Sequence, residues 1–304
     1  MDENLQAEMK ERYLAAANSF VSKVKDDPNV IAVIICGSLA YDIVWEKSDI
    51  DMTLIVRDQI LKNNSYCITE DDITINVQLI VRSGFKRFLE NIGGGSMMHS
   101  YFAKGQIVYT SDDSLYDYFE DFKKIGSDDK ELSGFFIACE LVSIYEKCLK
   151  WLTVKKNPLY AQYYLLKAAE QIARLEVCLS GEPPTREAIL KACTLSPGLI
   201  EPYYQEAMSH HYSEEEIFNA IQGIDRYLEQ QLDIIKKPVV KFMSDQELKT
   251  VTLITKHFHS ESHFIVGIFD YLAEKGIIAK VSQTIRITPK SKLAVEEIGY
   301  LYIA

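Results

Sequence analysis

The sequence predicts an α+β protein in three parts: a small mixed β-sheet domain over residues 1–125, an α-helical bundle over 126–238, and a winged-helix-like domain over 239–304. Three observations predict it. Apolar β-branched runs at 31–36 and 49–56 and an alternating run at 73–81 read as strands of one sheet. Residues 129–238 carry helical apolar spacing throughout. After Lys236-Lys237-Pro238 the pattern changes to two helices and a pair of short strands. A chain of 304 residues is long enough for two or three such cores.

In chain order, Leu5, Met9, Tyr13, Leu14, Ala17, Phe20, Val21 and Val24 share one helical face, and Asp26-Asp27-Pro28 ends that helix. Ile31 to Cys36 is a buried strand that stops at Gly37-Ser38. Ten residues follow, enough for a short helix and a turn, before the strand 49–56. Ser65 to Thr69 is a short strand, Glu70-Asp71-Asp72 a hairpin tip, and Ile73 to Val81 the returning strand. Ser83 caps a helix to Asn91, and Ile107 to Thr110 closes the sheet. Between them lies Ile92-Gly-Gly-Gly-Ser96-Met-Met-His99-Ser100, read either as a structural loop or as a flexible wall of a phosphate site.

Leu132 to Leu152 and Tyr160 to Leu175 are long helices. Glu146 and Lys150 have ion-pair spacing, and Glu140 lies in an apolar stretch, as a structural residue or as a carboxylate with a task. Thr185 caps a third helix, and Ser213 with Glu216 forms a capping box opening a fourth that runs to about Ile235. Helices are then expected over 244–257, 262–275 and 291–301, with strands at 277–281 and 284–288 around Ser282-Gln283.

Composition narrows the function. Hydrophobic content of 47% and charged content of 25% are those of an ordinary globular protein. No apolar run is long enough to span a membrane, and the acidic start argues against secretion. The six scattered cysteines form no C-x-x-C pair, as expected of reduced core residues in the cytoplasm. A formal charge of −11 disfavours binding to long polyanions, and so a polymerase on nucleic acid. The C-terminal part has eight Lys/Arg against seven Asp/Glu, without a strong DNA-binding charge. His257, His259 and His263 have no cysteine and little carboxylate beside them, a poor metal set.

The chemistry concentrates in residues 31–56. Strand side chains alternate, so Asp49 and Asp51 share a face while Ile50 and Met52 point into the core. Two carboxylates on one face repel unless a cation sits between them, and Mg²⁺ takes one or two carboxylates together with substrate phosphate oxygens. Gly37 permits close backbone approach to a phosphate, and Ser38 offers a hydroxyl and an N–H. An apolar strand, Gly37-Ser38, ten residues and Asp49-Ile50-Asp51 resemble the signature of the DNA polymerase β-like nucleotidyltransferase superfamily. A sheet followed by a helical bundle is similar to the architecture of antibiotic, aminoglycoside-type nucleotidyltransferases.

The resemblance implies transfer of a nucleoside monophosphate from an NTP to a hydroxyl acceptor, a small molecule or a protein, with Mg²⁺ as cofactor. It implies Asp49 and Asp51 as metal ligands and catalytic residues, with Gly37, Ser38 and Ser96 on the nucleotide. The sequence departs from the family on the third strand, where many members carry a further carboxylate and this chain has Asn76 and Gln78. In aminoglycoside nucleotidyltransferases the base can come from the helical domain, which makes Glu140 the candidate here. The alternative is a nucleotide-sensing regulatory or DNA-binding protein with a degenerate site. Its C-terminal domain would contact DNA or protein, and a second copy of the chain is a further candidate partner.

Overall fold

A computed structural model describes residues 3–40, 44–91, 101–102, 104–123, 127–182 and 184–303. The chain forms two compact units, Met1–Gly126 and Ser127–Ala304. Among the described residues no helix is long and apolar enough to cross a membrane.

The first unit is a five-stranded mixed sheet in the order β3-β4-β2-β1-β5. Helix α1 (Glu3–Val24) precedes β1 (Val30–Cys36), a one-turn helix α2 (Gly37–Ala40) and β2 (Ile50–Val56). Then come β3 (Ser65–Glu70), β4 (Ile73–Val81), α3 (Arg82–Asn91), β5 (Gln106–Thr110) and α4 (Ser114–Lys123). β2 and β4 are parallel and every other neighbouring pair is antiparallel. The β3–β4 turn is Asp71-Asp72, both left-handed (φ 49° and 61°), the geometry a two-residue hairpin needs.

Strand alternation divides the core in two. Val33, Ile35, Ile50, Met52, Leu54, Ile75 and Val77 pack with Tyr13, Ala16, Ala17 and Phe20 of α1. Ala32, Ile34, Cys36, Ile55 and Ile80 pack with Phe85, Leu89, Phe102, Leu115 and Phe119. Asp51, two residues before Thr53 and four before Ile55, belongs to this second face. Lys23 of α1 fastens the sheet edge through an ion pair to Glu70, 2.6 Å away. Ser19 and Lys23 hold that carboxyl below its usual range. The helix after β4 is capped from outside: the Ser83 N–H donates to Asp58 Oδ1 at 2.8 Å, so Ser83 is not the cap.

In the second unit α5 (Ser127–Thr153) packs on α6 (Pro158–Leu179), whose Ala161, Ala168, Ala169 and Ala173 are fully buried and permit close contact. α7 (Ala188–Leu195) follows without a side-chain cap: the Thr185 hydroxyl accepts from the Glu187 N–H, and its carbonyl accepts from the Ala188 N–H. The capping box at Ser213 and Glu216 opens α8 (Glu214–Gln230) as the sequence predicts. Lys236-Lys237-Pro238, after which the sequence pattern changes, is folded: Lys236 ends the short helix Leu232–Ile235, and Lys237-Pro238 open the next, Lys237–Phe242.

The C-terminal segment differs from expectation at three places. Residues 244–250 are not helical: Lys249–Thr250 form β6, and Thr250 then caps α9 (Val251–His257). After α10 (Ser262–Glu274) a single strand β7 (Ala279–Ile285) replaces the tight turn at Ser282-Gln283. The helix expected over 291–301 is β8 (Val295–Leu301), pairing with β7 and β6 in the order β6-β8-β7. Gly299 would weaken a helix by about 1 kcal/mol. In the strand its missing Cβ lets Leu248 and Lys249 lie close, 2.9 and 3.1 Å from where that atom would be. Tyr300 is fully buried and donates to Asp270 at 2.7 Å, and Phe258, Ile265, Phe269 and Tyr300 share one core with α5 and α6.

Buried Gln162 ties the bundle together. Its Nε2 donates to the carbonyls of Ala207 (2.7 Å) and His210 (2.8 Å), and its Oε1 accepts from the Tyr212 N–H (3.0 Å). Gln162→Leu strands all three backbone groups and is expected to destabilise this unit by about 3 kcal/mol. A lower guanidinium midpoint with faster amide exchange at Tyr212 is the signature, and an unshifted midpoint would refute the assignment.

Candidate active site

The site is built where β1 ends and β2 begins. Register sets Cys36 opposite Asp51, and Asp51 opposite Asn76 on β4. β2 itself starts at Ile50, so Asp49 is the exposed residue that enters it. The loop before Asp49 is anchored from α1: the Tyr13 hydroxyl donates to the Ser48 carbonyl at 2.8 Å, and Trp45 and Ser48 close a turn. Asp49 is thereby held on the same side of the sheet as half-buried Asp51.

Gly37 is at this position for a steric reason. Its φ is +63°, which L side chains resist, and a Cβ there would lie 2.1 Å from Asp51 Oδ2. The glycine backbone thus lies directly against the Asp51 carboxylate. Ser38 follows, half-buried, at the start of α2.

Asn76 is the residue whose role the sequence does not disclose. Its Nδ2 donates to Asp49 Oδ2 at 2.5 Å and lies 3.4 Å from Asp51 Oδ1. The amide therefore bridges the two carboxylates and offsets their repulsion with its own N–H dipoles. Beside them Tyr101 is held above its ordinary pKa by burial first, then by Cys36, Asp51 and Asp49. It stays a neutral phenol. Burial likewise raises the Cys36 thiol, with Asp51 adding to the rise and the Thr53 hydroxyl opposing it. Among the described residues that hydroxyl is the buried side-chain polar atom without a well-formed hydrogen bond. A thiol is a weak partner for it. A groove of about 500 Å³ opens alongside, between β3, β4 and Tyr101.

The donor set fits a cation that arrives with its own ligands. Among the described residues no group of three or more His, Cys, Asp or Glu could cage a metal. Two carboxylates suffice for Mg²⁺ when substrate phosphates and water complete its shell. Asn76 contributes a neutral amide, whose oxygen can replace its NH₂ by a half-turn about χ2.

The other expected residues lie elsewhere. Ser96, His99 and Ser100 lie outside the described residues. Glu140 belongs to the second unit, on α5, where it is exposed and faces Arg174 at 3.8 Å. It is not the carboxylate in an apolar setting that its neighbours in sequence suggest. Glu146 comes closer to that description: burial raises its pKa, with Asp270 and Glu274 of α10 adding to the rise and Lys147 opposing it.

No protein-family model matches the chain, and no curated protein does. Among solved structures it is similar to a nucleotidyltransferase-like protein from Exiguobacterium sibiricum 255-15. That likeness covers 95% of this chain and 99% of the other, at 18% identity and a TM-score of 0.65. The fold is therefore nucleotidyltransferase-like. The likeness to one aminoglycoside-type branch is not part of this finding.

Two substitutions test the geometry. Gly37→Ala is expected to push Asp51 out of place and abolish Mn²⁺ binding in the presence of nucleotide, read by paramagnetic resonance. Asn76→Asp replaces the bridging donor by a third negative charge. It should lower metal-free stability by about 1–3 kcal/mol, and Mg²⁺ should recover part of that in thermal melts. Identical melts for variant and wild type, with and without Mg²⁺, would contradict the bridging role.

Proposed function

We propose that the protein transfers a nucleoside monophosphate from a nucleoside triphosphate to a hydroxyl acceptor, releasing pyrophosphate. The observation that carries this reading is the contact between the Gly37 backbone and the Asp51 carboxylate, with Asp49 on the same side. A phosphate chain held by Gly37 and Ser38 would there meet two acidic groups. A bound Mg²⁺ would supply charge neutralisation on the phosphates. Asp49 and Asp51 would hold it, and Gly37 and Ser38 would grip the β- and γ-phosphates through the backbone N–H groups and the Ser38 hydroxyl. The nucleotidyltransferase-like fold supports the reading.

Asn76 favours a second reading, a protein that senses a metal–nucleotide without turning it over, because an amide cannot accept the acceptor's proton as a carboxylate would. One experiment separates the two. The protein is incubated with α-labelled NTPs and Mg²⁺, with hydroxyl acceptors and with itself as acceptor. Transfer of label that is lost in Asp49→Asn and in Asp51→Asn, by at least about a hundredfold, is the outcome expected of the enzyme. Tight NTP binding without transfer would favour the sensor. Unchanged metal–NTP binding in both variants would remove the site from both readings.

A further inference from the structure

The registers place four residues in a row across the sheet: Cys36, Asp51, Asn76 and Cys67 stand directly opposite one another on β1, β2, β4 and β3. Neighbouring strands are about 4.8 Å apart, so the row runs roughly 10 Å from Asp51 to the edge strand. Gly37-Ser38 extend from the β1 end of it. The groove lies at the other end, beyond Asn76. Triphosphate grip and groove therefore flank the carboxylate pair from opposite sides.

That order has a chemical consequence. In phosphoryl and nucleotidyl transfer the attacking and leaving oxygens lie roughly in line through phosphorus. With pyrophosphate leaving on the Gly37-Ser38 side, the attacking hydroxyl comes from the Asn76–Cys67 side. We propose that the groove beside Asn76 is the acceptor site, and that it takes an uncharged, polyhydroxylated ring compound. This rests on the transfer reading above. In the step the acceptor oxygen forms its bond to the α-phosphorus and the bond from that phosphorus to pyrophosphate breaks. The hydroxyl proton leaves to water in the open groove.

The lining sets the chemical class. The described lining, in which Tyr66 and Val77 join Ser65, Asn76, Gln78 and Tyr101, includes no charged side chain, and Asp49 and Asp51 adjoin it only through Asn76. Amides and hydroxyls donate and accept at once, which matches alternating sugar hydroxyls. Tyr101 supplies a neutral phenol, its ring held edge-on by Phe102 at 5.0 Å. A polycationic acceptor needs carboxylates in the walls; amides occupy those positions, and the nearest carboxylates, Asp49 and Asp51, are engaged by Asn76. A polyanionic one needs Lys or Arg, and the described lining has neither.

Cys67 makes the proposal testable, because it is the exposed cysteine of the six. Three size-matched disulfide fragments are offered to the full chain under reductant: a neutral hexose, a diamino hexose and a hexose carboxylate. Capture at Cys67 is read by peptide mapping. The neutral hexose is expected to be retained several-fold over either charged fragment, and Gln78→Glu should shift the preference to the diamine. Equal or better capture of a charged fragment by the wild-type protein overturns the proposal. Affinity for Mg²⁺-bound non-hydrolysable analogues of the four ribonucleoside triphosphates is measured before and after hexose capture. Unchanged affinity supports a separate acceptor site, and lost affinity makes the groove the nucleotide's own and refutes it. Failure of the uncapped protein to bind any of the analogues sinks the transfer reading itself, and the acceptor site with it.

Discussion

Like charges held on one face of a sheet constrain everything around them. Two unit charges 4 Å apart repel by about 4 kcal/mol at an effective dielectric of 20, a large fraction of a domain's stability. The protein keeps Asp49 and Asp51 together by fixing their surroundings. Tyr13 anchors the loop before Asp49, Gly37 vacates the volume beside Asp51, and Asn76 donates to both. Each of these depends on register. A one-residue slip of β2 against β4 would send Asp51 into the apolar layer of α1 and turn Met52 toward the groove.

The amide at position 76 also sets the charge around the carboxylate pair. Two carboxylates are balanced by one divalent ion, whereas a third would leave a negative charge to hold a second. With the Asn76 N–H groups already on the carboxylates, a bare ion must displace that bridge and also give up much of its own hydration. A nucleotide-bound ion brings phosphate ligands that offset both costs. Under the proposed function such a site would load metal and nucleotide together, which would serve a transferase and a sensor alike.

The sheet was legible in the sequence because its signals are local. β-branched runs, alternation at 73–81 and the spacing of Gly37-Ser38 from Asp49 and Asp51 each report on a few neighbouring residues, and the strands lie there. What escaped depends on partners distant in the chain. Asp58, not Ser83, caps α3 across 25 residues, and no local pattern contains that bond. Glu140 and Glu146 sit in equally apolar text and both reach the surface, yet the first faces Arg174 and the second has its carboxyl pKa raised, by partial desolvation and by Asp270 and Glu274 of α10. β8 reads as helix-compatible until β7 pairs with it along its length and Lys249-Thr250 flank its other edge. Asn76 was visible as a departure from a family pattern, but its bridge to two carboxylates emerges only once β4 lies parallel to β2.

The two functional readings diverge at that same side chain. An amide leaves proton removal from an acceptor without a local base on β4, so any transfer must tolerate a hydroxyl that ionises as it attacks. An open groove suits that requirement, since water can reach the departing proton, and the two carboxylates beside it are engaged by the Asn76 amide. In the proposed transfer reading the phosphates would lie on the Gly37 side, which leaves this space for an acceptor; in a sensor it would be left to the nucleotide's base and ribose. Occupancy of the groove beside Asn76 is therefore what separates the two readings, and its lining, without a charged side chain among the described residues, ties the missing carboxylate and the proposed choice of acceptor to one arrangement of strands.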